Sequence, residues 1–415
     1  MSTFPVSRLI EIAVALVFAW IFAGVGRRSI PFVYNLRSVT NRPVSTATTA
    51  IGIGLTVSIF IGALALAAGF RASLVTTGSP DNALVLRKGA NSEISSGVTL
   101  DQVNILKSNP AVAVGPDGRP RASAEMVIVV NKERLGQKGS SNVMLRGVDA
   151  AAADLRGGIT LVAGRMFTPG TDEVIVAKRI AGRFANCNLG DKLRFEQRDF
   201  TVVGQFTAKG SAFESEIWGD AAVLMPALHR DGYFQTFVFR MKDPAQFDRI
   251  KKELESDPRL QLQVQRERAF YAQQSEAFSL LITVIGSFIT AIMAVGAVFG
   301  AANTMYATIG SRTREIAMLS VLGFGSFSIF VSFVVESVIV SVIGGLVGCV
   351  LALPMNGITS STTNFQSFSE MAFQFKVTPQ LLGYGVAFAA VLGLVGGFFP
   401  ALQASQQKLT RSLRA

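Results

Sequence analysis

Two cysteines and one histidine are all that 415 residues hold of thiol and imidazole side chains. Cys187 falls in a polar block and Cys349 in an apolar run, so the two cannot pair within one chain. Neither a disulfide framework nor a thiolate metal site is available. His229 stands beside Arg230 and Asp231, the setting of a surface residue rather than of a general base or metal ligand. No G-x-x-x-x-G-K-[ST] occurs, and ATP hydrolysis needs the amides and lysine of such a loop, so no catalytic residue is expected in this chain. Serine-rich turns such as Ser140-Ser141 lack a partner base and carry no nucleophile.

Charge is also scarce. Only 16% of residues are Asp, Glu, Lys or Arg, against 49% apolar, and mean hydropathy is +0.41. A soluble domain is excluded for much of the chain, because a bilayer crossing takes roughly 20 mostly apolar residues and several windows reach that length. They are Thr48 to Phe70, Ala277 to Met305, Phe327 to Leu353 and Leu381 to Leu402, with a shorter run at Ile12 to Val25. From Ala277 to Ser311 there is no charge at all, longer than a crossing requires, so this helix is expected to overshoot the membrane as a stalk.

The net charge of +11 could suggest nucleic acid, but the positions of the cations point to the membrane instead. Arg27, Arg28, Arg37 and Arg42 have no acid among them, Arg312 and Arg314 meet only Glu315, and Lys408, Arg411 and Arg414 end the chain unopposed. The positive-inside rule places these segments in the cytoplasm. The implied order is an N-terminal apolar segment (1–28), a basic inner segment (29–47), a span (48–70) and a large outer domain (71–276). A second span with its stalk (277–305), an inner loop (306–325), a span (326–353), an outer loop (354–380), a span (381–402) and an inner tail (403–415) complete it. Spans number five with an outer N-terminus, or four if residues 12–25 lie on the membrane surface.

Within the outer domain, Asn82 to Lys88, Met126 to Val130 and Val143 to Val148 read as strands, and Thr99 to Ser108 as a helix behind a Thr cap. Phe237 to Met241 and Leu260 to Val264 flank a helix at Pro244 to Glu255. The expectation is one mixed α/β core (about 80–160 and 233–270) from which a β-rich insert (about 164–228) projects.

Asn303-Thr304-Met305, then Arg312-Thr313-Arg314-Glu315-Ile316 and Leu319 through Leu322-Gly323, resemble the signature joining two spans in MacB/FtsX-type permeases. Glu336, Gly344-Gly345, Gly348 and the closing Gly396-Gly397-Phe398-Phe399-Pro400-Ala401…Leu413-Arg414 are similar to the same family. Ser320 and Gln403 stand where arginine is usual, and the segment before Arg27 lies outside the four-span pattern. The resemblance implies a membrane α-helical protein of four to five spans with an α+β extracytoplasmic domain inserted between the first family-type span and the other three, a type VII ABC, mechanotransmission-like architecture in the bacterial inner membrane. It implies a homodimer of permeases docked on a cytoplasmic ABC ATPase that binds the ATP and Mg, this chain holding no cofactor. A periplasmic adaptor and an outer-membrane channel are further candidate partners, and nucleic acid is not.

The ATPase-coupling residues so implied are Arg312, Thr313, Arg314, Glu315, Ile316, Leu319, Leu322 and Gly323, with Ile316, Leu319 and Leu322 forming an apolar helical face that has no evident partner in the chain. An ordinary interfacial turn is the plain alternative. Glu336 has no Lys or Arg in the spans to pair with, so it is expected either to be a protonated helix-to-helix bond, for instance to Ser332, or to couple to ions. Gly296, Gly300, Gly344, Gly345, Gly348, Gly393 and Gly397 are expected to be helix-packing positions. Export is the leading function. An FtsX-like regulator that activates a periplasmic enzyme, and a lipoprotein-releasing permease, stay open.

Overall fold

The computed structural model describes residues 30–136, 138–364 and 368–407. The apolar segment before Arg27, Arg27 and Arg28 themselves, and the basic tail at Lys408, Arg411 and Arg414 lie outside them. The described chain divides into two units, one of residues up to 68, 281–358 and 375 onward, the other of 69–280 and 359–374.

The first unit is helical. A short helix α1 (Phe32–Thr40) precedes α2 (Pro43–Val75), and α3 (Glu267–Ser311), α4 (Thr313–Val321), α5 (Ser326–Ala352) and α6 (Pro379–Ser405) follow. Among the described residues α2, α3, α5 with its 3-10 extension to Met355, and α6 are long and apolar enough to cross a membrane. Each exceeds its expected window because polar ends continue the helix past the lipid: α3, at 45 residues, spans about 67 Å at 1.5 Å per residue, against roughly 30 Å of hydrocarbon.

Glycines let the spans meet backbone to backbone. A Cβ at Gly348 would lie 2.6 Å from the Gly54 carbonyl oxygen, and one at Gly344 2.7 Å from that of Ala50, which joins α5 to α2. Gly345 faces the Ala389 methyl at 2.6 Å, while Gly393 and Gly397 each face a serine of α5, Ser341 and Ser337, at 2.4 Å, which joins α6 to α5. These five expected packing positions are close contacts. Gly296 and Gly300 differ: a Cβ at either would meet nothing within 4 Å among the described residues. They lie on α3, whose Val284, Phe288, Ile292, Val295 and Phe299 are all more than half exposed.

The second unit is built on a ten-stranded mixed sheet. Its order is Leu262–Arg266, Asn82–Arg87, Thr236–Arg240, Ala122–Glu133, Ser140–Val148, Glu216–Asp220, Glu173–Ala177, Arg198–Thr207 and Thr160–Gly164, with Lys192–Phe195 paired to Arg198–Thr207 off that path. The N- and C-terminal pieces do share a sheet, and the helices Leu100–Lys107 and Phe247–Ser256 cover it with Val103, Leu106, Ile250 and Leu254 against Phe237 and Phe239. Thr99 caps the first of these helices in a reciprocal box with Gln102. The insert does not project as a separate β layer. Its strand Glu216–Asp220 pairs in parallel with Ser140–Val148, so the insert prolongs the same sheet. Within the outer loop, residues 359–363 and 370–374 form a hairpin that belongs to the sheet unit, where Glu370 is bridged by Arg134 and Arg183 and Ala372 N–H donates to Ser215 Oγ.

Candidate functional site

The helical unit gathers its charged and polar side chains at one place, around the break between α3 and α4. Arg312 interrupts the helix with φ −112° and ψ 17°. Its side chain turns inward instead of toward solvent and is only 4% exposed. Nη1 donates to Glu336 Oε2 at 2.9 Å and to Ser38 Oγ at 2.8 Å, Nε donates to Glu315 Oε2 at 2.8 Å, and Nη2 donates to Tyr34 Oη at 2.7 Å. Ser38 Oγ in turn donates to Glu336 Oε1 at 2.8 Å. The rings of Tyr34 and Phe333 lie 5.3 and 5.4 Å from the guanidinium carbon. One cation thus ties α1, the start of α4 and α5 together.

This corrects the expectation for Glu336. An arginine does pair with it, supplied not from a span but from the break that follows one. Ser332, its expected partner, donates instead to Asn35 Oδ1 at 2.6 Å. Tyr34, Asn35 and Ser38 went unnoticed in the sequence, although their spacing of i, i+1 and i+4 puts a polar stripe on one side of a helix whose Val33 and Leu36 are exposed. Beside the cluster, Arg42 Nη1 donates to Ser311 Oγ at 2.7 Å and links the start of α2 to the end of α3.

Helix α4 stops at a Schellman turn. Phe324 N–H returns to Leu319 O and Gly323 N–H to Ser320 O, both at 3.1 Å, with Gly323 at φ 89°. Only glycine adopts that conformation without strain, which accounts for Gly323. Ile316 belongs to a core with Met305, Ile309, Phe330 and Phe333, against which Leu319 and Phe324 pack. The apolar face expected at Ile316, Leu319 and Leu322 is therefore split. Ile316 is 3% exposed, whereas Met318, Val321 and Leu322 stand outward at 63%, 69% and 67%. Thr313 is half-buried, its hydroxyl donating to Gly310 O at 2.9 Å, and Arg314 and Glu315 are exposed. Among the described residues no group of His, Cys, Asp and Glu could hold a metal ion.

Residues 46–257 match the MacB-like periplasmic core domain, and residues 276–409 the FtsX-like permease C-terminal domain. The chain is 25% identical over 414 residues to the macrolide export ATP-binding/permease protein MacB of Bdellovibrio bacteriovorus, covering 89% of this chain and 59% of that protein. An uncharacterized ABC transporter permease of Methanocaldococcus jannaschii is 22% identical over 231 residues, 54% of this chain and 57% of its own. The crystal structure of the periplasmic region of MacB from Actinobacillus actinomycetemcomitans covers 48% of this chain and 95% of that one, with 13% identity and a TM-score of 0.36. The chain thus spans under two thirds of the curated relatives it matches, over their permease part. With both domain families in series and four apolar helices of crossing length, it belongs to the MacB/FtsX-like family of ABC transporter permeases, inner-membrane proteins with a large periplasmic domain.

Proposed function

We propose that this chain is the permease subunit of an export complex in which a partner ATPase hydrolyses ATP in the cytoplasm and the resulting movement reaches the periplasmic domain. The observation that carries the reading is the exposed apolar strip Met318, Val321 and Leu322 on α4, flanked by Arg314 and Glu315 and held at a set angle by the Arg312 cluster behind it. A solvated turn gains nothing from three large apolar side chains in water. A helix seated in another protein's groove buries them, each contributing about 1.5–3 kcal/mol. Helix α3, 45 residues long and shared between the two units, is the element through which that movement would pass. The bare face of α3 around Gly296 and Gly300 suits a second copy of the permease, since glycines four apart let two helices approach closely.

The test is retention of the ATPase on the affinity-purified permease in nanodiscs. Leu322→Asp is expected to weaken retention at least tenfold, because an unpaired carboxylate in an apolar groove costs well over the ~1.4 kcal/mol that a factor of ten requires. Permease elution in size exclusion should be unchanged. Retention equal to wild type would remove α4 from the interface. Leu319→Asp is a poorer probe, since Leu319 packs inside the permease and its loss would disturb the fold itself.

A further inference from the structure

The sheet unit buries a second cluster of charge, remote in sequence from the inner site. Glu125, Arg146 and Glu267 are wholly buried, and Glu93, Arg156 and Glu216 are 4–5% exposed. Arg146 holds two carboxylates in forks: Nε and Nη2 reach Glu216 at 2.7 and 2.8 Å, while Nη1 and Nη2 reach Glu93 at 2.8 and 3.1 Å. It also donates to Glu125 Oε2 at 2.9 Å. Arg156 donates to that same Oε2 at 2.6 Å and, through Nε, to Glu267 Oε1 at 3.0 Å. Glu267 is the first residue of α3, and its other oxygen accepts from Ser79 N–H at 2.9 Å and Asn82 Nδ2 at 2.8 Å, just past the end of α2. Gly78, at φ 77°, leaves the room: a Cβ there would lie 2.6 Å from Glu267 Cγ.

Four carboxyls thus face two guanidiniums in a buried cluster, a surplus of two negative charges that such a site does not tolerate unpaired. The geometry singles out one of them. Both arginines converge on a single oxygen of Glu125, and its Oε1 has no hydrogen-bond partner among the described residues. Thr236, the cross-strand neighbour of Glu125, has a hydroxyl in the same condition. The groups gathered around Glu125 are Arg146 from the adjacent strand, Arg156 from the helix Ala152–Arg156, Glu93 from the loop before Val98, and Glu216, Glu267 and Tyr271 behind the two arginines. We infer that this cluster is a proton-binding joint at the root of α3, in which Glu125 carries the proton at neutral pH and Arg156, shared with Glu267, makes the seat of α3 depend on it. Burial drives the Glu125 carboxyl above the ordinary range despite Arg156 and Arg146, and the Glu93 charge adds to the rise. Burial pushes Glu93 up as well, but the fork from Arg146 outweighs it and leaves that carboxyl below the ordinary range. A cavity lined by Glu93, Glu216, Tyr271 and Gln274 borders the cluster and marks the side on which the proposed proton would exchange. When it leaves, Glu125 draws Arg156 harder and loosens its hold on Glu267.

The inference is independent of what docks on α4. A carboxyl with a raised folded value binds its proton more tightly folded than unfolded, where it titrates near about 4.3, so stability falls as pH rises from there through the folded value. The full chain in nanodiscs should therefore show an unfolding midpoint that declines from about pH 5 upward, and Glu125→Gln, which mimics the protonated acid, should lose that part of the slope. Infrared spectra of glutamate-labelled wild type at neutral pH should contain a protonated-carboxyl C=O band, missing in Glu125→Gln and kept in Glu93→Gln. Absence of the band in wild type overturns the inference, and so does a pH slope that Glu125→Gln leaves intact. If Glu125→Gln fails to fold, the wild-type band alone decides.

Discussion

At the scale of single residues, the same side chain type anchors a buried cluster in each of the two units. Arg312 and Arg146 are both buried, each holding at least two carboxylates and each backed by an aromatic ring. A guanidinium suits such a place, being planar, weakly hydrated and able to donate from five N–H groups at once. Breaking a buried pair costs more than its net worth, since the remaining partner is left charged and alone. Glu336→Ala is therefore expected to destabilise the membrane unit by about 3–5 kcal/mol, whereas Glu336→Gln, which keeps an acceptor for Arg312 and for Ser38, should cost less. Thermal unfolding of the two variants in one detergent checks the order. A Glu336→Ala loss within about 0.5 kcal/mol of zero would mean that the pair does not hold α1, α4 and α5 together.

At the scale of elements, glycine placement separates contacts inside the protomer from faces left for something else. Gly348→Ala drives a methyl into the Gly54 carbonyl, where backbone cannot yield, so a loss of about 1–3 kcal/mol is expected from forcing α5 off α2. Gly300→Ala meets no described atom and replaces a poor helix former with the best one, so protomer stability should hold or rise by up to about 1 kcal/mol. If α3 pairs with its copy there, Gly300→Leu should lower the dimer fraction, read by single-molecule photobleaching in nanodiscs, without moving the unfolding midpoint. A dimer fraction equal to wild type would place the second copy elsewhere. Both glycines looked alike in the sequence, because small-xxx-small spacing marks a face without saying what covers it.

At the scale of the whole molecule, topology follows from charge. With Arg27, Arg28, Arg37 and Arg42 retained inside, a five-span chain begins outside. A cysteine introduced at Ser2, in a variant lacking Cys187 and Cys349, should react with an impermeant reagent in spheroplasts; reaction only after lysis would mean four spans. The four helices of crossing length and the polar block between the first two of them were legible from sequence, since they depend on hydropathy, a sum over neighbours in the chain. The Thr99 cap was legible for the same reason, being decided within a few residues. The partners of Glu336, the Glu125 cluster and the sheet order were not, because the contacts of the two clusters join residues 21 to 298 positions apart and strand order depends on pairings that hydropathy does not encode. Nor could sequence divide Ile316 from Leu322: both lie on an apolar helical stripe, and only the packing of Ile316, Leu319 and Phe324 on the core around Met305, Ile309 and Phe333, with the chain turning at Gly323, settled which part of it the chain itself covers.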